Sequence, residues 1–317
     1  MMNGSFDILQ SNNRTDKILK IQFAAGARNV FENITNPFQR ISQYGWTKFL
    51  DSEVFPTTLN TQGAQYWPNY NLHLLGGGMT YVAMTEWFSY HGYANPKTLS
   101  AATMVVYHYL NETVENDGYR GPSVDPIADL LIFDPLGIAL FSIDGVPEFF
   151  GQTLQMADWS FQPVFDFRTQ SLLNNGQNFS FKIPVPSVPR LKILYITGME
   201  GVVGLSYELD QTDNISFGGG LATKDLVEVN NNTGVRTLTA TLIKVGGIYY
   251  DRNNSLLASL VFKNAATYKA RLNIYPGVLN FGKLSLGFVG ILHHDNDISV
   301  GLSTRFSPLG LGYSSSD

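Results

Sequence analysis

The stretch Ser299-Val300-Gly301-Leu302-Ser303 alternates small and aliphatic residues without a break. A period of two places successive side chains on opposite faces of a strand. Just upstream, Lys269, Arg271 and Asn273 alternate with Ala270, Leu272 and Ile274. Working outward, strands are expected at 161–169, 179–184, 191–197, 202–209 and 215–222. Further strands are expected at 237–250, 256–262, 268–275, 284–292 and 298–306. Turn signals separate several of them: Asn174-Asn175-Gly176, Asn231-Asn232, Asp251 to Asn254 and Asp295-Asn296-Asp297. Small, aromatic or aliphatic residues stand on both faces of many of these segments. That pattern predicts a membrane β-barrel of about 8–10 antiparallel strands, with the polar set facing a lumen and the apolar set facing lipid. The barrel would occupy 158–317, after a helical and aromatic-rich module over 1–157.

Composition supports the same expectation. Charged residues make up 15% of the 317-residue chain, against roughly 25% in soluble domains. Tyr (16), Phe (21) and Gly (30) are abundant, as aromatic girdles and tight strand packing require. A secreted all-β binding protein has a similar composition. The formal charge of −5 and the lack of a basic stripe argue against nucleic acid as a partner. Without cysteine, disulfides, thiolate chemistry and cysteine-held metals are excluded. No apolar run reaches the length of a membrane-spanning helix. A barrel must be exported, yet Met1 to Ser5 carry no basic-then-apolar signal. Residues 1–16 are polar and read as loose.

The first half has helical periodicity. Lys17 to Asn36 forms an amphipathic pattern ended by Pro37. The segment 40–70 is rich in aromatics among Pro and Asn, as in short helices and a packed connector. Three helices follow, over about 71–90, 96–115 and 123–141. Gly76, Gly77 and Gly78 cost helix propensity in the first, and close helix crossing is the compensation. Asn95 and Ser123 are candidate caps, and Asp134-Pro135 is a candidate break.

Candidate chemistry lies in these helices. His108, Glu112 and Glu115 follow i, i+4, i+7 spacing and share a face. Asp125 and Asp129, four apart, share another. With His73, the acids Glu112, Glu115, Asp125 and Asp129 form a candidate catalytic cluster among apolar neighbours. One carboxyl would serve as base and a second as acid if their pKa values separate. Oxygen and imidazole ligands would equally suit a divalent cation. The structural alternative is a salt-bridge and capping network using Arg120 or Lys97. His91 and His108 read as surface or interhelical residues. No phosphate loop, nucleophile elbow or zincin motif is present. No cofactor is expected, and a metal ligand set is left open.

His73 with Gly76 and Gly77, then Asn111, Glu112 and Glu115, then Ser123, Asp125, Asp129 and Gly137 resemble small membrane-associated helical families of the VanZ and YfiM type. Asn111-Glu112 stands where that pattern usually has Lys-Glu, which weakens a charge-pair role. Together with a following barrel, the chain resembles an uncharacterised Gram-negative outer-membrane barrel family. The resemblance implies the cell outer membrane, contact with membrane lipid or lipopolysaccharide, and an envelope protein partner. The leading expectation is a structural, assembly or ligand-binding role in the envelope. The alternatives are a membrane-embedded lipid or glycolipid hydrolase using His73 and the acids, and a narrow small-solute channel.

Overall fold

The structure, a computed structural model, describes residues 17–55, 66–116, 119–230, 236–263 and 268–315. The segment 1–16 and the turn signal Asn231-Asn232 lie outside them. The chain divides into two units. One is Ile21–Phe149 with Asp225–Thr241; the other is Phe150–Lys224 and Leu242–Asp317 with residues 17–20.

The first unit is helical. Its main helices are α1 (Phe23–Thr35), α2 (Pro37–Tyr44), α3 (Gly77–Tyr90), α4 (Pro96–Asn116) and α5 (Asp134–Phe141). Pro37 ends one helix and opens the next, because its fixed φ and missing N–H suit a first helical position. α4 packs against α1 and α3, and α3 packs against α5. Ile41, Tyr44, Phe49, Val124, Ile127, Ala128 and Phe133 form a buried core. The amphipathic segment expected from Lys17 starts late: Ile18–Lys20 is a single 3₁₀ turn, and α1 begins at Phe23.

Three stretches in this unit wind wider than an α-helix, with π-helical turns at Leu50–Val54, Asn69–Gly76 and Asp129–Phe133. The second runs straight into α3. The third runs straight into α5, so the helix is continuous over Asp125–Phe141 and does not break at Asp134-Pro135. Proline lacks an N–H and crowds the carbonyl four residues back. The wider turn just before it spares the helix that conflict.

The second unit is built on one sheet of thirteen strands. In chain order these are β1 (Ala157–Asp158), β2 (Val164–Asp166), β3 (Ser171–Leu173), β4 (Asn178–Pro184), β5 (Leu191–Gly198), β6 (Glu200–Glu208) and β7 (Asp213–Asn230). They continue with β8 (Arg236–Arg252), β9 (Ser255–Lys263), β10 (Ala270–Phe281), β11 (Leu284–Leu292), β12 (Ile298–Thr304) and β13 (Ser307–Ser314). The hydrogen-bonded order is β1-β4-β5-β6-β7-β8-β9-β10-β11-β12-β13-β2-β3. From β4 to β13 it is a meander. β2 then lies parallel to β13, with Gly310 opposite Val164 and Gly312 opposite Asp166.

This corrects the expected fold. The sheet is open, with β1 and β3 at its ends and no ladder joining them among the described residues. It has thirteen strands and a parallel pair, so it is not a closed antiparallel membrane barrel of about 8–10 strands. The ten expected spans each coincide with a strand, but 161–169 holds only the short β2, and β1, β3 and β13 were not foreseen. Of these, β1 and β3 are the two ends of the sheet. The outer-membrane location, the lipid or lipopolysaccharide and envelope-protein partners, and the envelope, lipid-hydrolase and channel roles all depended on a closed barrel. Without it they have no footing. Among the described residues no single helix is long and apolar enough to cross a membrane, although the bent pair Asp125–Phe141 and Val146–Thr153 together passes that test.

The polar side chains expected to line a lumen are instead committed to one another. Arg271 Nη2 lies 3.2 Å from Glu200 Oε1, and Lys263 Nζ lies 2.8 Å from the same oxygen. The Arg271 guanidinium stacks 3.5 Å from the Phe161 ring centre. Lys182 Nζ pairs with Asp251 at 2.5 Å, both fully buried, and sits over the Trp159 ring. Lys269 donates to Asn296 Oδ1 at 2.6 Å in an exposed position. Beside these pairs Trp159, Leu194, Ile196, Val202, Tyr249 and Val261 fill an apolar core. Many strands bury their small polar residues and expose aliphatic ones: Ser299 and Ser303 of β12 are buried, while Ile298, Val300 and Leu302 are exposed.

Candidate metal centre

α4 carries no Gly and no Pro beyond its first residue, so its face is regular. His108, Glu112 and Glu115 therefore stack along it, and all three are buried. The two other contributors lie on the π-helical turns. In an α-helix, residues five apart point about 140° away from each other. The i→i+5 winding of 129–133 brings Asp134 back toward the face that carries Asp129. His73 meets both: its Nδ1 is 3.0 Å from Asp134 Oδ1 and its Nε2 is 3.3 Å from Asp129 Oδ2. His108 Nδ1 lies against the same Asp134 oxygen, and the two imidazoles meet edge to face with centres 5.1 Å apart.

Two glycines allow this convergence. A Cβ on Gly78 would come within 2.2 Å of the Phe141 ring, and one on Gly137 within 2.6 Å of Leu74 O and 3.0 Å of His73 O. The Gly76-Gly77-Gly78 run thus permits the close crossing expected of it, at Gly78. From the other side, α1 clamps the loop that leads to Asp125. Asn29 and Asn33 donate to Gly121 O at 2.9 and 3.2 Å, and Asn33 Oδ1 accepts from Ser123 N–H at 3.0 Å. Ser123 is therefore held by its backbone, and the helix start at Asp125 has no side-chain cap.

Two sets of ligand atoms result. His73, His108 and Asp134 each offer one atom, all within 4.8 Å of one another; so do Glu112, Glu115 and Asp125. All five residues expected at a catalytic site, His73, Glu112, Glu115, Asp125 and Asp129, lie in this region. Asp134 and His108 join them. The sequence marks Asp134-Pro135 as a helix break and His108 as a surface or interhelical residue. For His108 the i+4 relation to Glu112 was the available signal. Glu53, on the first π-helical turn, is a further buried acid, with Ser52 Oγ donating to its Oε1 at 3.0 Å. Arg120 and Lys97 are exposed and join no ion pair with the cluster among the described residues, so the network proposed for them is not the one present. Glu86 and His91 are also exposed and stand apart.

The electrostatics are those of acid excess in a dry site. Burial opposes charge on His73, but Asp134 beside it lifts its pKa to about 9. Burial holds His108 below its ordinary value. Burial also works to raise Asp134, yet the two imidazoles hold it below the usual carboxylate range. Burial and neighbouring carboxylates push Glu112 and Asp129 well up, and Glu53 to about 8. Glu112 is 1% exposed, and neither of its oxygens has a hydrogen-bond partner. Asp129 Oδ1 and Asp134 Oδ2 are likewise unpartnered. The His73 side chain, 14% exposed, and the half-buried Asp125 link the site to solvent.

Scans of family models, curated proteins and solved structures find no match to this chain. The resemblance to VanZ- and YfiM-type helical families and to an outer-membrane barrel family is therefore not supported. The open sheet removes its second half.

Proposed function

We propose that the helical unit is a divalent-metal centre, with His73, His108 and Asp134 as its ligands and metal-assisted hydrolysis as its reaction class. The observation that carries this is the convergence of two imidazoles and a carboxylate from three separate helical segments within 4.8 Å, in a buried site. The 3.0 Å from His73 Nδ1 to Asp134 Oδ1 is close to the edge of a coordination polyhedron with bonds of about 2.1 Å. Mixed nitrogen and oxygen donors suit zinc, iron or manganese. Three protein ligands leave a position open for water, whose pKa such an ion lowers toward about 7. Asp129, in reach of His73 and with one oxygen unpartnered, is the group placed to take that proton.

A second reading has its own observation. The direct His73–Asp134 hydrogen bond, with the His73 pKa raised to about 9, is what a metal-free ion pair would show. One experiment separates the two. Full-length protein purified without chelator is assayed for bound zinc, iron and manganese, then for metal-dependent cleavage of simple phosphate and carboxylate esters. About one transition-metal ion per chain is expected, lost in His73→Ala with His108→Ala. Asp129→Asn should keep the ion and lose the hydrolysis. A stably folded wild type that takes up no transition metal even at micromolar ion supports the ion pair and overturns the metal reading.

A further inference from the structure

We propose that the centre is binuclear: Glu112, Glu115 and Asp125 hold a second divalent cation beside the imidazole set. This inference rests on the metal reading of the imidazole set and adds a site of different chemistry to it. The first support is Glu112. A carboxylate 1% exposed, with no hydrogen bond to either oxygen, is costly to bury. Its oxygen lies within 4.8 Å of oxygens from Glu115 and Asp125, so an ion among them would satisfy it. That separation is the span across a cation with oxygens at about 2.1–2.4 Å on opposite sides.

The second support is the spacing along α4: His108 of the imidazole set and Glu112 of the carboxylate set stand one helical turn apart, so the two ions would be neighbours. The two sites differ in hardness. The all-oxygen set suits magnesium, manganese or calcium, whereas the imidazole set suits zinc, iron or manganese. Two-metal centres of this kind clamp a substrate oxyanion between the ions.

The test is titration of chelator-stripped full-length protein with Mn²⁺, following stoichiometry by calorimetry and spin coupling by electron paramagnetic resonance. Two Mn²⁺ per chain with a coupled signal are expected. Glu112→Gln should reduce this to one uncoupled ion and weaken the second binding event at least tenfold, while Zn²⁺ uptake at the imidazole set stays intact. His73→Ala should leave one ion at the carboxylate set. One ion in the wild type, unaffected by Glu112→Gln, overturns the second site and leaves the first. No Mn²⁺ or Zn²⁺ uptake overturns both. If Glu112→Gln does not fold, as judged by circular dichroism, the wild-type stoichiometry and coupling decide alone.

Discussion

Gly137 has no room for a side chain, because a Cβ there would meet the carbonyl oxygens of Leu74 and His73. Gly137→Ala should cost about 1–3 kcal/mol through overpacking against rigid backbone. Because α5 begins with Asp134, the same change should push that carboxylate away from His73 and weaken metal uptake. Urea denaturation and zinc titration of the variant would show both effects; an unchanged midpoint would contradict the close crossing. Asn33 is the second position with a defined penalty. Its amide donates to Gly121 O, which Asn29 also reaches, and accepts from Ser123 N–H in a buried contact. Asn33→Ala leaves the Ser123 N–H unsatisfied and should destabilise by about 1–3 kcal/mol. Loss of protection at the Ser123 amide in hydrogen exchange would locate the effect.

At the scale of elements, the π-helical turns carry the site. Each of these three turns in the helical unit carries a buried or half-buried acid or imidazole: Glu53, His73 and Asp129. Removing Leu75 should return the second turn to α-helical winding and swing His73 by about 100° relative to α3. Helix content by circular dichroism should persist while zinc uptake falls, and retained uptake would show that the winding is not what aims His73. These turns also explain what the sequence made legible and what it hid. The regular face of α4 follows from 3.6-residue spacing, so His108, Glu112 and Glu115 are readable from it, as are Asp125 and Asp129. Asp134, five residues past Asp129, falls off an α-helical face, and its neighbour Pro135 argued for a break. Only the wider winding brings it in. In the sheet, alternation located most strands because each strand shows its own period. Whether the edges meet is decided by β1, β2 and β3, two or three residues each, too short to have a period at all.

For the molecule as a whole, the buried acids set a pH dependence. Glu53 is raised to about 8, and Glu112 and Asp129 are raised too, so the folded chain keeps protons that the unfolded chain has released. Between about pH 5 and 8 the unfolded state thus binds fewer protons, and unfolding becomes easier as pH rises. His73 acts in the same direction. Raised to about 9, it contributes stability that is full below its ordinary 6.5 and lost as pH climbs through 9. Ion-free protein should therefore melt at lower temperature at pH 8.5 than at pH 5.5, and saturating Mn²⁺ should narrow the gap. A melting temperature that rises with pH would show that these acids are not buried as described. The sheet makes a separate prediction. Val203, Phe217, Leu302 and Leu311 are all more than half exposed, on the face opposite the buried serines. Apolar area on that scale binds hydrophobic surfaces. The folded protein in plain buffer should brighten anilinonaphthalene sulfonate or self-associate, and detergent should abolish both.

The parallel ladder between β2 and β13 joins Val164–Asp166 to Gly310–Gly312, almost the full length of the unit apart in sequence. Such long-range pairing is slow, since the loop must close before any hydrogen bond rewards it. It also imposes an order on synthesis. A ribosome delivers β2 long before β13, so the nascent chain must carry β2 and β3 without β13 while nine further strands emerge. Until residues 307–314 appear, β2 has only β3 as a strand partner, and an edge of β12 is open to other chains. The window for misassembly is therefore set by translation time, and slowing elongation over the last strands should lengthen it.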